Sequence, residues 1–97
     1  MTDAHPIRTV HVRVEGRVQG VYYRAWTEEN ARELGLSGWV RNTRGGMVEA
    51  VFSGDPAAVA AMLLRCEEGP RDALVTSVTV ISEGGSVADG FSIRRTG

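Results

Sequence analysis

The segment Gly16-Arg17-Val18-Gln19-Gly20-Val21-Tyr22-Tyr23-Arg24 holds the residues best equipped for chemistry. Its two glycines allow a turn in which successive backbone N–H groups converge on one point, a nest for a phosphate-sized anion. If a helix follows, its unpaired N–H groups and dipole add positive potential at the same place. The candidate anion-binding set is therefore Gly16, Arg17, Val18, Gln19, Gly20, Val21 and Tyr22, together with Arg24. This is not a nucleotide-type phosphate loop, because Val21 follows Gly20 and no Gly-Lys-Ser/Thr occurs. Arg24 falls in the first turn of the expected helix, where a cation opposes the dipole. An anion held between the arginine and the helix end would reconcile the two. An ordinary tight connection and a solvated arginine are the plainer readings of the same residues.

Other polar and aromatic side chains have structural roles as their first reading. His5 lies in a tail over residues 1–6 expected to fray, and His11 lies on a strand face. Cys66 falls on an apolar helical stripe, where a thiol packs as a small hydrophobe. Trp26 and Trp39 read as packing residues. Arg17, Arg41 and Arg44 can lend potential to a nearby site but are by default solvated. Asn42 stands just before Arg44-Gly45-Gly46 and reads locally as a turn-starting asparagine.

The composition sets outer bounds. Ninety-seven residues suit one domain, and 42% hydrophobic with 24% charged residues excludes a disordered chain. All eleven basic residues are arginine, against twelve acidic ones, for a net charge of −1. That balance is unlike the strongly basic one of nucleic-acid binders. The lone Cys66 excludes an internal disulfide and a multi-cysteine zinc site. No apolar run approaches the ~20 residues that span a bilayer. The amino end, with Asp3 and Pro6, does not read as a secretory signal. A cytoplasmic protein without membrane or nucleic-acid partners is the expectation.

The elements that must position the candidate residues follow from periodicity. Val10, Val12 and Val14 alternate with polar residues as a half-buried strand, and Glu15 to Gly20 read as a turn. Tyr23, Trp26 or Thr27, Ala31 and Leu34 recur at helical spacing, and Gly35 stands at the expected stop. Leu36 to Thr43 read as a second strand, joined by a tight glycine hairpin to a third in which Val48, Ala50 and Phe52 share a face. Asp55-Pro56 combines a capping side chain with a first-turn proline. Val59, Met62, Leu63 and Cys66 follow at helical spacing until Gly69-Pro70. Leu74 to Ile81 form a β-branched fourth strand, and Phe91 and Ile93 mark a short fifth. The order β-α-β-β-α-β, with one strand added, predicts an α+β domain over 1–97. Its two helices should pack on one face of a mostly antiparallel sheet, the ferredoxin-like arrangement.

Gly16 to Arg24, followed by Ala31, Leu34-Gly35-Leu36, Gly38-Trp39-Val40-Arg41-Asn42 and Val48-Glu49, resembles the acylphosphatases. The likeness extends to Phe91-Ser92-Ile93-Arg94 and is densest from Gly16 to Gly54. It implies hydrolysis of the carboxyl-phosphate bond of small acyl phosphates, without metal or cofactor. It also implies that Arg24 and the loop N–H groups grip the phosphoryl oxygens while Asn42 orients the attacking water. Inorganic phosphate should then be both product and competitive inhibitor, and the enzyme should be a monomer. The chain departs from the family pattern at Tyr23, where phenylalanine is usual, and at Gly45, where aspartate is usual. The first adds a hydroxyl that needs a partner, and the second removes a turn-favouring side chain.

Three other readings compete. An RNA-binding module of this fold needs paired aromatics on its central strands, and Met47 to Phe52 do not supply them. A metal carrier needs a second cysteine near Cys66. A non-catalytic, acylphosphatase-like binding or regulatory domain is the closest alternative. Such domains occur in larger carbamoyl-transferring maturation proteins, where zinc-binding segments follow. The chain ends at Gly97, so a free-standing enzyme is expected.

Overall fold

The computed structural model describes residues 6–97. The expectations on His5 and on most of the 1–6 tail lie outside them. Five strands and two helices follow in the order β1 (Arg8–Arg17), α1 (Tyr23–Glu33), β2 (Ser37–Asn42), β3 (Val48–Gly54), α2 (Pro56–Glu68), β4 (Leu74–Glu83) and β5 (Phe91–Ile93). They form one sheet of order β4-β1-β3-β2-β5, antiparallel except for the parallel pairing of β5 with β2. The expected α+β ferredoxin-like fold with an added strand is the observed one.

The core lies between the sheet and the two helices. Val10, Val12 and Val14 of β1, Val40 of β2, and Val48, Ala50 and Phe52 of β3 meet Tyr23 and Ala31 of α1 and Val59, Met62 and Cys66 of α2. All are buried, as the two periodicities require: every second residue in a strand, every third or fourth in a helix. Val51 is also buried, on the far face, where it stands in register between His11 and Trp39.

Three local expectations need correction. The first strand does not end at Val14 but runs to Arg17, because β4 pairs with it through a bulge between Glu15 and Gly16. The bulge breaks the alternation in the sequence, so the strand's last residues look like a turn. Asp55 makes no side-chain capping bond. The start of α2 rests on Pro56, whose φ suits the first helical position, and on Val59 N–H donating to Asp55 O at 3.0 Å. Leu36 and Thr43 fall just outside β2: Leu36 N–H closes the end of α1 on Ala31 O, and Thr43 N–H bonds Met47 O.

Candidate active site

The loop from β1 to α1 turns on two left-handed residues. Gly20 has φ +73 and Tyr22 has φ +69, the latter being the one non-glycine residue with positive φ among the described residues. Val21 between them does not share that conformation. Alternation of this kind brings successive backbone N–H groups to one side. Tyr22 is also the residue from which α1 departs, and its carbonyl accepts the first helical bond from Trp26 N–H at 3.0 Å. The open N–H groups of the first helical turn therefore stand beside the loop. No acidic side chain occupies that turn.

A cavity of about 250 Å³ opens at this point, lined by Val18, Gly20, Tyr22, Tyr23, Arg24, Ala25, Asn42 and Ile93. Residues nearly twenty apart in sequence thus share one recess. Arg24 is half-buried, and it forms no ion pair among the described residues. The Oδ1 atom of Asn42 is buried and has no hydrogen-bond partner. Buried polar atoms are nearly always satisfied, so this unpartnered acceptor stands out among the residues that line the cavity with Arg24.

The nine candidate residues divide between the cavity and its supports. Val18, Gly20, Tyr22, Arg24 and Asn42 line it. Gly16 and Arg17 instead pair with Val75 and Leu74 on β4. A Cβ on Gly16 would come within 2.0 Å of Leu74 O, so its glycine serves the close approach of two strands. Val21 packs against the core. Gln19 turns its side chain away from the cavity, and its Nε2 donates to Thr43 O at 2.8 Å and to Met47 O at 2.7 Å. These two carbonyls belong to the β2–β3 hairpin, so Gln19 ties the loop to the segment just beyond Asn42. The hairpin is closed further by Thr43 N–H to Met47 O and by Met47 N–H to Thr43 Oγ1 at 3.1 Å. With Gly45 in place of a turn-favouring side chain, these contacts supply the bracing. On the other side of Asn42, its carbonyl accepts from Gly97 N–H at 3.1 Å.

Ile93 is the cavity residue that sequence reasoning placed only as a strand marker. Its register partner on β2 is Val40, two residues before Asn42. The parity of Phe91 and Ile93 puts both on the helix-facing side, but nothing local announces that β5 runs beside β2.

The remaining candidates take structural roles. The Tyr23 hydroxyl finds its partner in Cys66 O at 2.7 Å. Burial pushes the Cys66 thiol up to about 12, which suits a packing residue and not a nucleophile. Trp26 packs on Tyr23 with ring centroids 5.4 Å apart. Trp39 lies under the guanidinium groups of Arg41, at 5.1 Å, and Arg94, at 4.6 Å. Arg41 also pairs with Glu49 at 2.7 Å, and His11 holds the other oxygen of that carboxylate. Burial alone would raise the Glu49 carboxyl, but hydrogen bonds from Arg41 and His11 outweigh it and hold the group below its ordinary value. Arg41 is thus spent on the open face of the sheet. Among the described residues no three His, Cys, Asp or Glu side chains are grouped to hold a metal ion, and no helix is long and apolar enough to cross a membrane.

Known proteins resemble this chain in sequence and fold. The family described as Acylphosphatase matches residues 10–93. An acylphosphatase of Rhodospirillum rubrum is 50% identical over 86 residues, covering 89% of this chain and 94% of that one. Another, from Haloarcula marismortui, is 55% identical over 84 residues, covering 87% and 92%. The structure of an acylphosphatase from Coxiella burnetii superposes with a TM-score of 0.86 at 35% identity, covering 91% and 93%. The match spans both walls of the cavity, from the loop and Arg24 to Asn42 and Ile93, and on this ground the chain belongs to the acylphosphatase family.

Proposed function

We propose that the protein hydrolyses small acyl phosphates to a carboxylate and inorganic phosphate at the cavity between the β1–α1 loop and the end of β2. The observation that carries this reading is the convergence of Arg24, the left-handed loop and Asn42, whose Oδ1 has no hydrogen-bond partner, on one recess. The phosphoryl group sits on the loop and helix N–H groups, with the Arg24 guanidinium forking across two of its oxygens. Such donors stabilise charge spread over the equatorial oxygens, which is most of what phosphoryl transfer asks of a protein.

Asn42 Oδ1 accepts one O–H of a water and turns its lone pair toward phosphorus, in line with the departing carboxylate. An amide is too weak a base to take the proton, so this passes to a phosphoryl oxygen as the P–O bond to the acyl group breaks. The leaving carboxylate is itself a weak base and needs no general acid. No step in this scheme calls for a metal or a cofactor. Inorganic phosphate, which presents the same oxygens as the substrate, binds the same site and competes.

The testing experiment is release of phosphate from acetyl phosphate, with a phosphate monoester as control. Turnover of the first and not the second is expected, with activity retained in the presence of chelators. Failure to hydrolyse any acyl phosphate, with phosphate still bound by the folded protein, would favour the binding-domain reading.

A further inference from the structure

Asn42 lines the cavity from the end of β2, and its Oδ1 has no hydrogen-bond partner in the protein. The place of that atom therefore depends on the backbone that carries it. β3 supports this backbone on one side, with Val48 in register opposite Asn42. On the other side β5 ends at Ile93, beside Val40. The chain then continues along β2: Arg94 N–H donates to Val40 O at 2.9 Å, and Gly97 N–H to Asn42 O at 3.1 Å. Gly97 O in turn accepts from Arg44 N–H at 3.2 Å, so one residue joins Asn42 to the hairpin beyond it. That hairpin has glycine at both 45 and 46, the residue type with the most backbone freedom, so a brace from outside it matters.

Gly97 is seated by a cluster on the open face of the sheet. Neighbouring strand residues point to opposite faces, so Arg41 turns away from the cavity that Asn42 lines. A Cβ on Gly97 would lie 2.5 Å from Arg41 Cζ and 2.9 Å from Arg41 Nε; the guanidinium fills the place of a side chain there. Arg41 is not free to swing aside. Its Nε donates to Glu49 Oε1 at 2.7 Å, and the Trp39 ring lies under it. Glu49 stands opposite Arg41 in register, and its other carboxylate oxygen bonds His11 Nε2 at 2.5 Å. Arg94, which begins the segment after β5, also lies over Trp39, at 4.6 Å from the ring centroid.

We propose that Glu49 is a positioning residue for Asn42, acting from the face away from the cavity through Arg41 and Gly97. Glu49 fixes the Arg41 guanidinium, Gly97 packs against that guanidinium, and Gly97 N–H holds the Asn42 carbonyl. Removing the carboxylate frees Arg41 to move, and with it the residue that closes the outer side of Asn42. The anion-binding wall, built from Arg24 and the β1–α1 loop, is not part of this path.

This role rests on the hydrolytic reading, and its test separates the two. Turnover of acetyl phosphate and its inhibition by inorganic phosphate are measured for the unmodified protein, Glu49→Ala, Glu49→Gln, Gly97→Pro and the double variant Glu49→Ala/Gly97→Pro. Thermal unfolding checks that each is folded at the assay temperature. Proline at 97 removes the N–H that Asn42 O accepts. Glu49→Ala and Gly97→Pro should each lower kcat about tenfold, short of the hundredfold that a misplacement of about 1 Å costs. Glu49→Gln, which keeps an acceptor for Arg41 without the charge, should fall between. Inhibition by phosphate should change by less than about twofold, the scatter of independent sites. Because both residues act along one path, the double variant should lose no more than the worse single one. Losses that multiply in the double variant overturn the role, as does an unchanged kcat in either single variant. A fall in phosphate affinity as large as the fall in kcat also overturns it, since that is general damage to the site. Where Glu49→Ala does not fold, Glu49→Gln takes its place in each comparison, and an unchanged kcat there is equally fatal. Failure of the unmodified protein to hydrolyse acetyl phosphate overturns the hydrolytic reading, and this role with it.

Discussion

At Arg24 and Asn42 the same cavity asks for two different things. In the proposed reaction Arg24 binds the phosphoryl group, so its fork matters as much as its charge: Arg24→Lys retains the charge but replaces two parallel donors by a point. We expect kcat/KM to fall at least tenfold in Arg24→Lys and further in Arg24→Ala, measured on acetyl phosphate at fixed ionic strength. In the same proposal Asn42 orients the water, and its buried Oδ1 has no hydrogen-bond partner in the protein. Asn42→Ala should therefore fold and bind phosphate nearly as well, yet lose roughly 10²–10³ in kcat, the usual cost of one preorganised polar group. Asn42→Asp should do no better, because a carboxylate beside the phosphoryl oxygens repels them, and phosphate affinity should drop as well. If Asn42 only starts the hairpin, Ala will lower stability and leave turnover per folded molecule unchanged. Thermal unfolding, phosphate affinity and kcat on the same three proteins distinguish these outcomes.

Between elements, two hydrogen-bonded ties carry the arrangement. Gln19 joins the loop to the hairpin through both Thr43 O and Met47 O. Gln19→Ala should cost about 1–3 kcal/mol for the two bonds, and should lower kcat more than phosphate affinity, since it frees the Asn42 wall from the anion wall. Gln19→Glu keeps the shape without the donor and sets a carboxylate against two carbonyls, so it should be the worse variant. Tyr23 makes the second tie: its hydroxyl donates to Cys66 O, one of the carbonyls that the last turn of α2 leaves without an intrahelical partner. Tyr23→Phe should lower stability by about 1 kcal/mol, or roughly 4–8 °C in Tm for a domain of this size. The elements themselves were legible in the sequence because burial on one face writes a period into each of them, as at Val10, Val12 and Val14 or Val59, Met62 and Cys66. The ties were not. Gln19 reads as one more loop residue until the hairpin lies against it, and Gly16 reads as a loop glycine until β4 is found close beside it. Ile93 could not be assigned to the cavity, because the placement of β5 next to β2 depends on pairing between distant segments. Arg24 was legible for the opposite reason, since its conflict with the helix dipole is local.

For the molecule as a whole, the site lies where the β1–α1 connection, the end of β2 and β5 meet, so a guest there bridges segments from much of the chain. The β1–α1 loop, the start of α1, the hairpin end and β5 all contribute to its wall. Inorganic phosphate should consequently stabilise the fold globally and not only stiffen a loop. Binding confined to the native state adds RT ln(1 + [L]/Kd), about 2.7 kcal/mol at a hundredfold excess over Kd. For a domain near 100 residues that corresponds to a rise of roughly 10–20 °C in Tm, taking 4–8 °C per kcal/mol. The rise should grow with phosphate concentration along this logarithm, and sulfate at equal ionic strength provides a comparison with similar oxygens and a different charge. Arg24→Ala should flatten the dependence, whereas Asn42→Ala should preserve most of it. Cys66 offers an internal check on the same equilibrium. Its thiol is fully buried and pushed up to about 12, so an alkylating reagent should reach it only through unfolding or wide local opening. Phosphate should slow that alkylation in the unmodified protein and leave it unchanged in Arg24→Ala. Alkylation that is fast in the native protein and indifferent to phosphate would mean that α2 opens independently of the site, and that the anion holds together only its own corner of the sheet.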